Sequence, residues 1–413
     1  MRTRRRVLVV VGVVLLVLGA AGAALALRGG DDAPKLEGGS SFGAGPKEPK
    51  RREALLDALA PLLAAGDAGP ARRAAAAPEP DDDAPAGARL GIPAARAAAR
   101  LMLVGFAGQE PRAPFFARLR TRGWGGVVLE QGNYVERRQL ATLAGEVAVV
   151  SRQAGHGAPL VAALQPGGEG TAFPDLPPAE AGVTPNARTA GREARRAGRA
   201  LRAAGIALTL APVAHVGVAG GAWDDLAYGD EPATVSRAVR AAVDGYRATR
   251  VAPVVGRFPG EGAATQDPSL GPASVGLPID DLRRNDMRPF AAVARRAPAI
   301  QMSPALYAGW DGVTPATLLP EAVRELRRLG FRGLVVSADL SATTLATGGG
   351  VGQAAVEALK AGCDLLWVPG DLAAQEDAYR AVLRAIRTGE VAGGHVAAAL
   401  RRATALKRAY AIR

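Results

Sequence analysis

From Gly91 onward the chain alternates, and this pattern limits the fold more than any other feature. Short apolar runs recur at Leu101 to Val104, Gly126 to Leu129, Leu160 to Leu164, Ala207 to Ala211, Val251 to Val255, Ala299 to Met302, Leu334 to Val336 and Leu365 to Val368. Between most of them lie Ala/Arg/Leu segments of helical length and period, such as Ala190 to Ala204, Thr234 to Thr249, Pro320 to Leu329 and Gln375 to Thr388. Continuous apolar strands alternating with helices belong to parallel sheets covered on both faces. Eight such units over roughly 320 residues predict an α/β fold, a (β/α)8 TIM-type barrel. A doubly wound open sheet is the alternative. It would carry a glycine-rich phosphate turn after its first strand, and Gly105-Phe106-Ala107-Gly108 is not one.

What precedes the barrel has a different character. Arg2, Arg4, Arg5 and Arg6 lead into an uncharged apolar run from Val7 to Leu27. Residues 1–28 therefore read as a signal-anchor or transmembrane helix with its start in the cytoplasm, which exports the chain and leaves the barrel on the extracytoplasmic side. Ala24-Leu25-Ala26 offers a small-x-small cleavage site, so a form cut near Ala26 would be secreted. Residues 29–90 are rich in Ala, Pro, Gly and Asp and read as a tether. Within it, 51–63 sets Leu55, Leu56, Leu59, Leu62 and Leu63 on one helical face, a short amphipathic helix. Residues 91–413 form the single globular domain.

The formal net charge is +12, yet aromatic content is only 4% and the arginines are scattered among alanines instead of forming one stripe. Nucleic acid is therefore not an expected partner. Membrane headgroups and acidic wall polymers remain natural neighbours for a basic surface. With one cysteine, Cys363, there is no internal disulfide and no multi-cysteine metal site. Of three histidines, His156 and His395 read as surface residues, and His215 lacks a second histidine for a metal. No metal or cofactor is implied, and protein partners are left open.

In a barrel of this kind the working residues follow the strands at the C-terminal mouth. Those positions hold Glu130, Gln165 with Glu169, His215, Arg257 with Glu261 and Asp267, Asp339 and Asp371. The stretch from Val254 to Gly262 stands out among them. Its apolar run ends at Gly256, and a Gly/Pro loop carrying Arg257, Phe258 and Glu261 follows, the composition of a rigid ligand-facing turn.

These residues, in this order, resemble the N-terminal barrel domain of glycoside hydrolase family 3, closest to its single-domain bacterial β-N-acetylhexosaminidases. The resemblance runs from about Gly91 to Lys407. It rests on Leu101-Met102-Leu103-Val104-Gly105-Phe106, on Gly125 to Leu129 with Asn133, and on Gln165, Gly167 and Gly168. It continues through Leu210-Ala211-Pro212-Val213, Tyr228-Gly229-Asp230 with Pro232, and Phe258-Pro259-Gly260 with Gly262. Pro289-Phe290, Pro315 to Leu318, Leu329-Gly330-Phe331 and Val335 to Leu340 complete it.

For catalysis the resemblance points the other way. It implies retaining cleavage of β-glycosides through an attacking aspartate, placed after a Ser or Thr at the end of the seventh strand. Here Ser337 is followed by Ala338, which cannot attack. Asp339 is next, but side chains alternate along a strand, so it is expected to face away from the mouth unless the backbone changes locally. The acid/base histidine of the family's Asp-Ser-His loop falls at Ser269, after Asp267 and Pro268. Sugar-gripping positions are changed at Leu164, Glu169, His215, Leu226, Gly256, Arg257, Glu261 and Ala305. The resulting expectation is an exported, inactive or strongly impaired family 3-like domain that binds a carbohydrate or cell-wall fragment or serves as an envelope scaffold. Gln165, His215, Arg257 and Glu261 are its substrate-binding candidates, and Trp223 or Trp310 could stack on a sugar, with Trp367 assigned to the core. The alternative is an active O-glycosyl hydrolase using Asp339, Asp267 or Glu261.

Overall fold

The computed structural model describes residues 90–410 apart from 169–170, 179–180 and 182–185. The expected anchor at 1–28, the tether with its helix at 51–63, and Glu169 lie outside the described residues. Among the described residues no helix is long and apolar enough to cross a membrane.

Eight parallel strands close into a barrel: β1 (Met102–Val104), β2 (Gly126–Leu129), β3 (Leu160–Ala163), β4 (Leu208–Thr209), β5 (Ala252–Phe258), β7 (Ala299–Met302), β9 (Leu334–Asp339) and β10 (Leu365–Val368). They neighbour one another in chain order, and β10 pairs with β1 to complete the ring. Two further strands, β6 (Ser274–Val275) and β8 (Leu306–Tyr307), form a separate parallel pair that the sequence pattern did not reveal. They are too short to register as a periodic run.

The strands are apolar throughout because each is buried on both faces. Leu103, Val128, Leu160, Leu208, Val254, Val336 and Leu365 point inward and fill the barrel. Their neighbours Val104, Val127, Val161, Val255, Val335 and Leu366 point outward against the helices. Those helices include α1 (Ala94–Arg100), α2 (Pro114–Thr121), α3 (Arg137–Gln153), α4 (Ala187–Ala203) and α5 (Pro232–Arg247). After them come α6 (Ile279–Arg284), α7 (Arg288–Val293), α8 (Pro320–Arg328), α9 (Leu340–Thr347), α10 (Val351–Ala361), α11 (Leu372–Thr388) and α12 (Gly393–Tyr410). Alanine and glycine on α4 and α5 allow close approach: a Cβ added at Gly245 would lie 2.5 Å from the Gly191 carbonyl oxygen. The last helix has a different task. Ala403 and Leu406 of α12 belong to the interior cluster, so this helix plugs the N-terminal end of the barrel and leaves the C-terminal end as the mouth.

Two strands depart from regular pairing near the mouth. Between Val255 and Phe258 of β5, three steps of chain oppose two on β7, from Ile300 to Met302. Between Val336 and Asp339 of β9, three steps likewise oppose two on β10, from Leu365 to Trp367. Each is a bulge, and a bulge resets which residues face inward beyond it. The β5 strand accordingly runs through Phe258, past Gly256 where its apolar run ends.

Candidate functional site at the barrel mouth

The cavity at the mouth has a volume of about 280 Å³, near the lower limit for a small-ligand pocket. Leu164, Leu210, Leu226, Pro212 and Val213 form apolar walls, and Trp223 and Trp367 add two indole surfaces. Ionisable groups enter from four places: Glu130 after β2, Arg257 on β5, Asp267 in the following loop, and Asp339 at the end of β9.

The bulges determine two of these. On β5, regular alternation would bring only one of Gly256 and Arg257 to the inside, yet both line the cavity. On β9, strict alternation turns Asp339 away, and this expectation is corrected by the structure. The extra residue carries Asp339 into register with Trp367, and both line the cavity. Ala338 is fully buried outside that lining, with its N–H donated to Thr317 Oγ1 at 3.0 Å. Trp367 itself bridges the two readings of its role: it belongs to the barrel interior and also floors the cavity. Trp223 lines the cavity as well, whereas Trp310 packs on Tyr307 with ring centroids 5.7 Å apart and is not part of the lining.

Behind the wall lies a buried polar network. Arg257 lays its guanidinium over Trp223, 4.4 Å from the ring centroid, and approaches Glu261 Oε2 at 2.7 Å. Ser303 Oγ donates to Glu261 Oε1 at 2.6 Å, and the Tyr307 hydroxyl donates to the Gly260 carbonyl at 2.9 Å. The Glu261 N–H donates to His215 Nδ1 at 3.0 Å, which leaves the proton of a neutral imidazole on Nε2, 3.7 Å from Glu261 Oε2. Burial, reinforced by the Arg257 charge, holds His215 well below its ordinary pKa and so neutral. Burial pushes the Glu261 carboxyl up, and the Arg257 charge and the Ser303 hydroxyl pull it back. The glycines of this loop are steric requirements. A Cβ at Gly262 would sit 1.7 Å from the Val216 carbonyl oxygen, and Gly260 has φ +128°.

The candidate residues thus separate. Arg257, Asp267 and Asp339 face the cavity; Glu261 and His215 are fully buried behind it. Gln165 is also fully buried, its amide donating to the carbonyls of Phe173 and Leu176 at 3.1 Å while its carbonyl accepts from the Phe173 N–H. It shapes the β3 exit loop and does not reach the cavity. Asp371 caps α11 by accepting from the Ala373 N–H and stands outside the lining. Asn133 likewise ties two mouth loops together through the Phe106 and Gly108 carbonyls, each at 2.8 Å. His156 and His395 each donate Nε2–H to a backbone carbonyl, of Arg120 and Cys363, on half-buried surfaces. Gln301 also lines the cavity, and its mark in the sequence is a lone polar residue in the apolar run Ala299 to Met302.

Glu130 gains most from its place in the structure. Burial, and then the charge of Asp339, push its carboxyl up to about 7. The Asp339 carboxyl is raised too, chiefly by burial, although its Oδ1 accepts from the Ser341 and Ala342 N–H groups at the start of α9. Among the described residues no group of three or more His, Cys, Asp or Glu side chains is disposed to hold a metal ion.

Residues 98–406 match the family described as the glycosyl hydrolase family 3 N terminal domain. The chain belongs to that family. A β-hexosaminidase of Stenotrophomonas maltophilia is 29% identical over 282 residues, covering 65% of this chain and 83% of the relative. Among solved structures, a family 3 β-N-acetylglucosaminidase from a Paenibacillus species superposes with a TM-score of 0.70 at 28% identity, over 76% of this chain and 62% of that one. The β-N-acetylhexosaminidase of Beutenbergia cavernae gives a TM-score of 0.70 at 26% identity, over 77% and 99% of the two chains. This chain therefore spans under two thirds of the Paenibacillus protein and nearly all of the Beutenbergia one.

Proposed function

We propose that this β-N-acetylhexosaminidase-like barrel binds an N-acetylated sugar or cell-wall fragment at its mouth without hydrolysing it, held outside a membrane by residues 1–28. The observation that carries this reading is Ala338: the position matching the family's attacking aspartate has no functional group and is sealed in the end of β9. Ser269 stands at the matching acid/base position, and a serine hydroxyl does not donate a proton near neutral pH. A small cavity walled by Trp223, Trp367 and leucines, with carboxyls at its rim, suits one pyranose ring, whose apolar face stacks on an indole.

One observation favours a second reading, an active glycosidase with a rebuilt carboxyl pair. The β9 bulge brings Asp339 into the cavity that Glu130 also lines, and the Glu130 carboxyl, pushed up to about 7, suits a general acid. The two readings part on one assay. The full chain is incubated with an aryl β-N-acetylglucosaminide, and release of the aryl group is followed beside binding of N-acetylglucosamine. Saturable binding without turnover supports the first reading. Turnover abolished by both Glu130→Gln and Asp339→Asn supports the second, and neither binding nor turnover removes the sugar from both.

A further inference from the structure

The opposite end of the barrel holds a second cavity, of about 210 Å³, where α12 crosses the N-terminal ends of the strands. Leu400, Ala403, Thr404 and Lys407 line it along one stripe of α12, at the three- and four-residue spacing of a helix face. Arg100, the last residue of α1, comes from a second element, and His156 with Gly157 from the loop before β3. No acidic side chain lines this cavity, nor either of the two cavities beside it, where Arg96, Arg401 and Arg408 add further cations.

Lys407 and Arg100 are the unusual pair. Both are half-buried, both face the same cavity, and neither has a hydrogen bond or an acidic partner among the described residues. Two other arginines of this end share an acidic partner. Asp364, fully buried, takes Arg402 at 2.5 Å and Arg327 at 3.1 Å. The negative end of α12 is already met by Arg202, which donates to the Tyr410 carbonyl at 2.6 Å, and by Arg250, which donates to the Ala409 carbonyl at 3.3 Å. Lys407 is thus not required as a helix cap. Two like charges held together beside a cavity raise the energy of the empty site and lower that of the site filled by an anion.

We propose that this basal cavity is an anion site that takes a phosphate group, gripped by the Arg100 guanidinium and the Lys407 ammonium with the Thr404 hydroxyl beside them. Arginine offers a planar fork of donors, lysine a point charge, and threonine a further donor; together they match a multiply charged tetrahedral group better than a single carboxylate. The phosphate belongs either to a free ion or to a lipid headgroup. The site lies away from the mouth, so it does not depend on the sugar reading.

The test uses the full chain, titrated calorimetrically with inorganic phosphate and, separately, sedimented with vesicles of phosphatidylglycerol or of phosphatidylcholine. Lys407→Met and Arg100→Gln are each expected to weaken phosphate binding about tenfold or more, and Lys407→Arg to retain it. Thermal melts confirm that each variant folds, and because the two residues sit on different helices, one variant reads the site if the other fails. All variants share residues 1–28, so only their difference on vesicles reports the site. Saturable phosphate binding with these effects supports the site and a soluble source. A phosphatidylglycerol preference that falls in both variants, without measurable phosphate binding, supports the site and a lipid source. The proposal is overturned if neither probe distinguishes the variants from the natural chain, or if acetate displaces phosphate at equal concentration.

Discussion

At the mouth of this barrel the Arg257 guanidinium has a buried Glu261 carboxyl oxygen 2.7 Å behind it, while at the base the Lys407 ammonium feels the like charge of Arg100 and has no acidic partner among the described residues. Both ends are charged cavities, but their charges are compensated differently. At the mouth Arg257 is fixed between Trp223 and Glu261, and it faces the cavity with the carboxyls of Glu130, Asp267 and Asp339 on apolar walls. The base holds two cations, Arg100 and Lys407, without an acidic partner among the described residues. A cation already paired within the protein offers a ligand its shape and stacking; a cation without such a pair offers charge itself.

The largest expected effect comes from breaking the compensation at the mouth. Arg257→Ala would strand the fully buried Glu261, at a cost of about 3–5 kcal/mol in urea unfolding at pH 7. The cost should shrink under acid, because the stranded carboxyl takes up a proton. A variant loss that is small and independent of pH would show that the Arg257–Glu261 contact does not hold the loop.

Glu130 gives the next effect. Its folded pKa of about 7 lies above the ordinary carboxyl value, so its contribution to stability is fully present below about pH 4.3 and is lost as pH rises through 7. Glu130→Gln should therefore be more stable than the natural chain by about 1–2 kcal/mol above pH 8 and no more stable at pH 4. Carbon-detected titration of Glu130 should show a midpoint near 7 that falls in Asp339→Asn; an unchanged midpoint would separate the two carboxyls.

The smallest effect is at the base. Burial, and then Arg100, lower the Lys407 pKa to about 8. A lysine depressed in this way penalises the folded state below that pH, and the penalty fades as pH rises from 8 towards the unfolded value of about 10.4. Lys407→Met is expected to stabilise the phosphate-free chain by on the order of 1 kcal/mol at pH 7, with the gain gone above about pH 10. If Lys407→Met destabilises the chain in phosphate-free buffer, the ammonium has a partner that keeps it charged.

Much of this fold was legible from residues alone, and the reasons are physical. Runs such as Gly126 to Leu129 and Ala299 to Met302 stand as strands at those bounds because barrel strands are buried on both faces and carry no polar alternation to blur them. The Phe258-Pro259-Gly260 frame with Gly262 marked a loop whose glycines are sterically required. The site was less legible, for two reasons. Polar residues after strands include those that serve the protein's own carbonyls and helix ends, and Gln165, Asn133 and Asp371 are of that kind. A bulge adds one residue to a strand without any mark in its apolar pattern. At Val336 to Asp339 it reversed the facing of Asp339, and at Val255 to Phe258 it admitted Gly256 and Arg257 together.

The most direct test of the mouth is simultaneous measurement of sugar binding and turnover on one preparation of the full chain. Saturable binding of N-acetylglucosamine that weakens in Trp223→Ala is expected, with no release from an aryl β-N-acetylglucosaminide above the uncatalysed rate. Turnover by the natural chain that disappears in Asp339→Asn would contradict it and make the bulged aspartate the heir to the missing nucleophile.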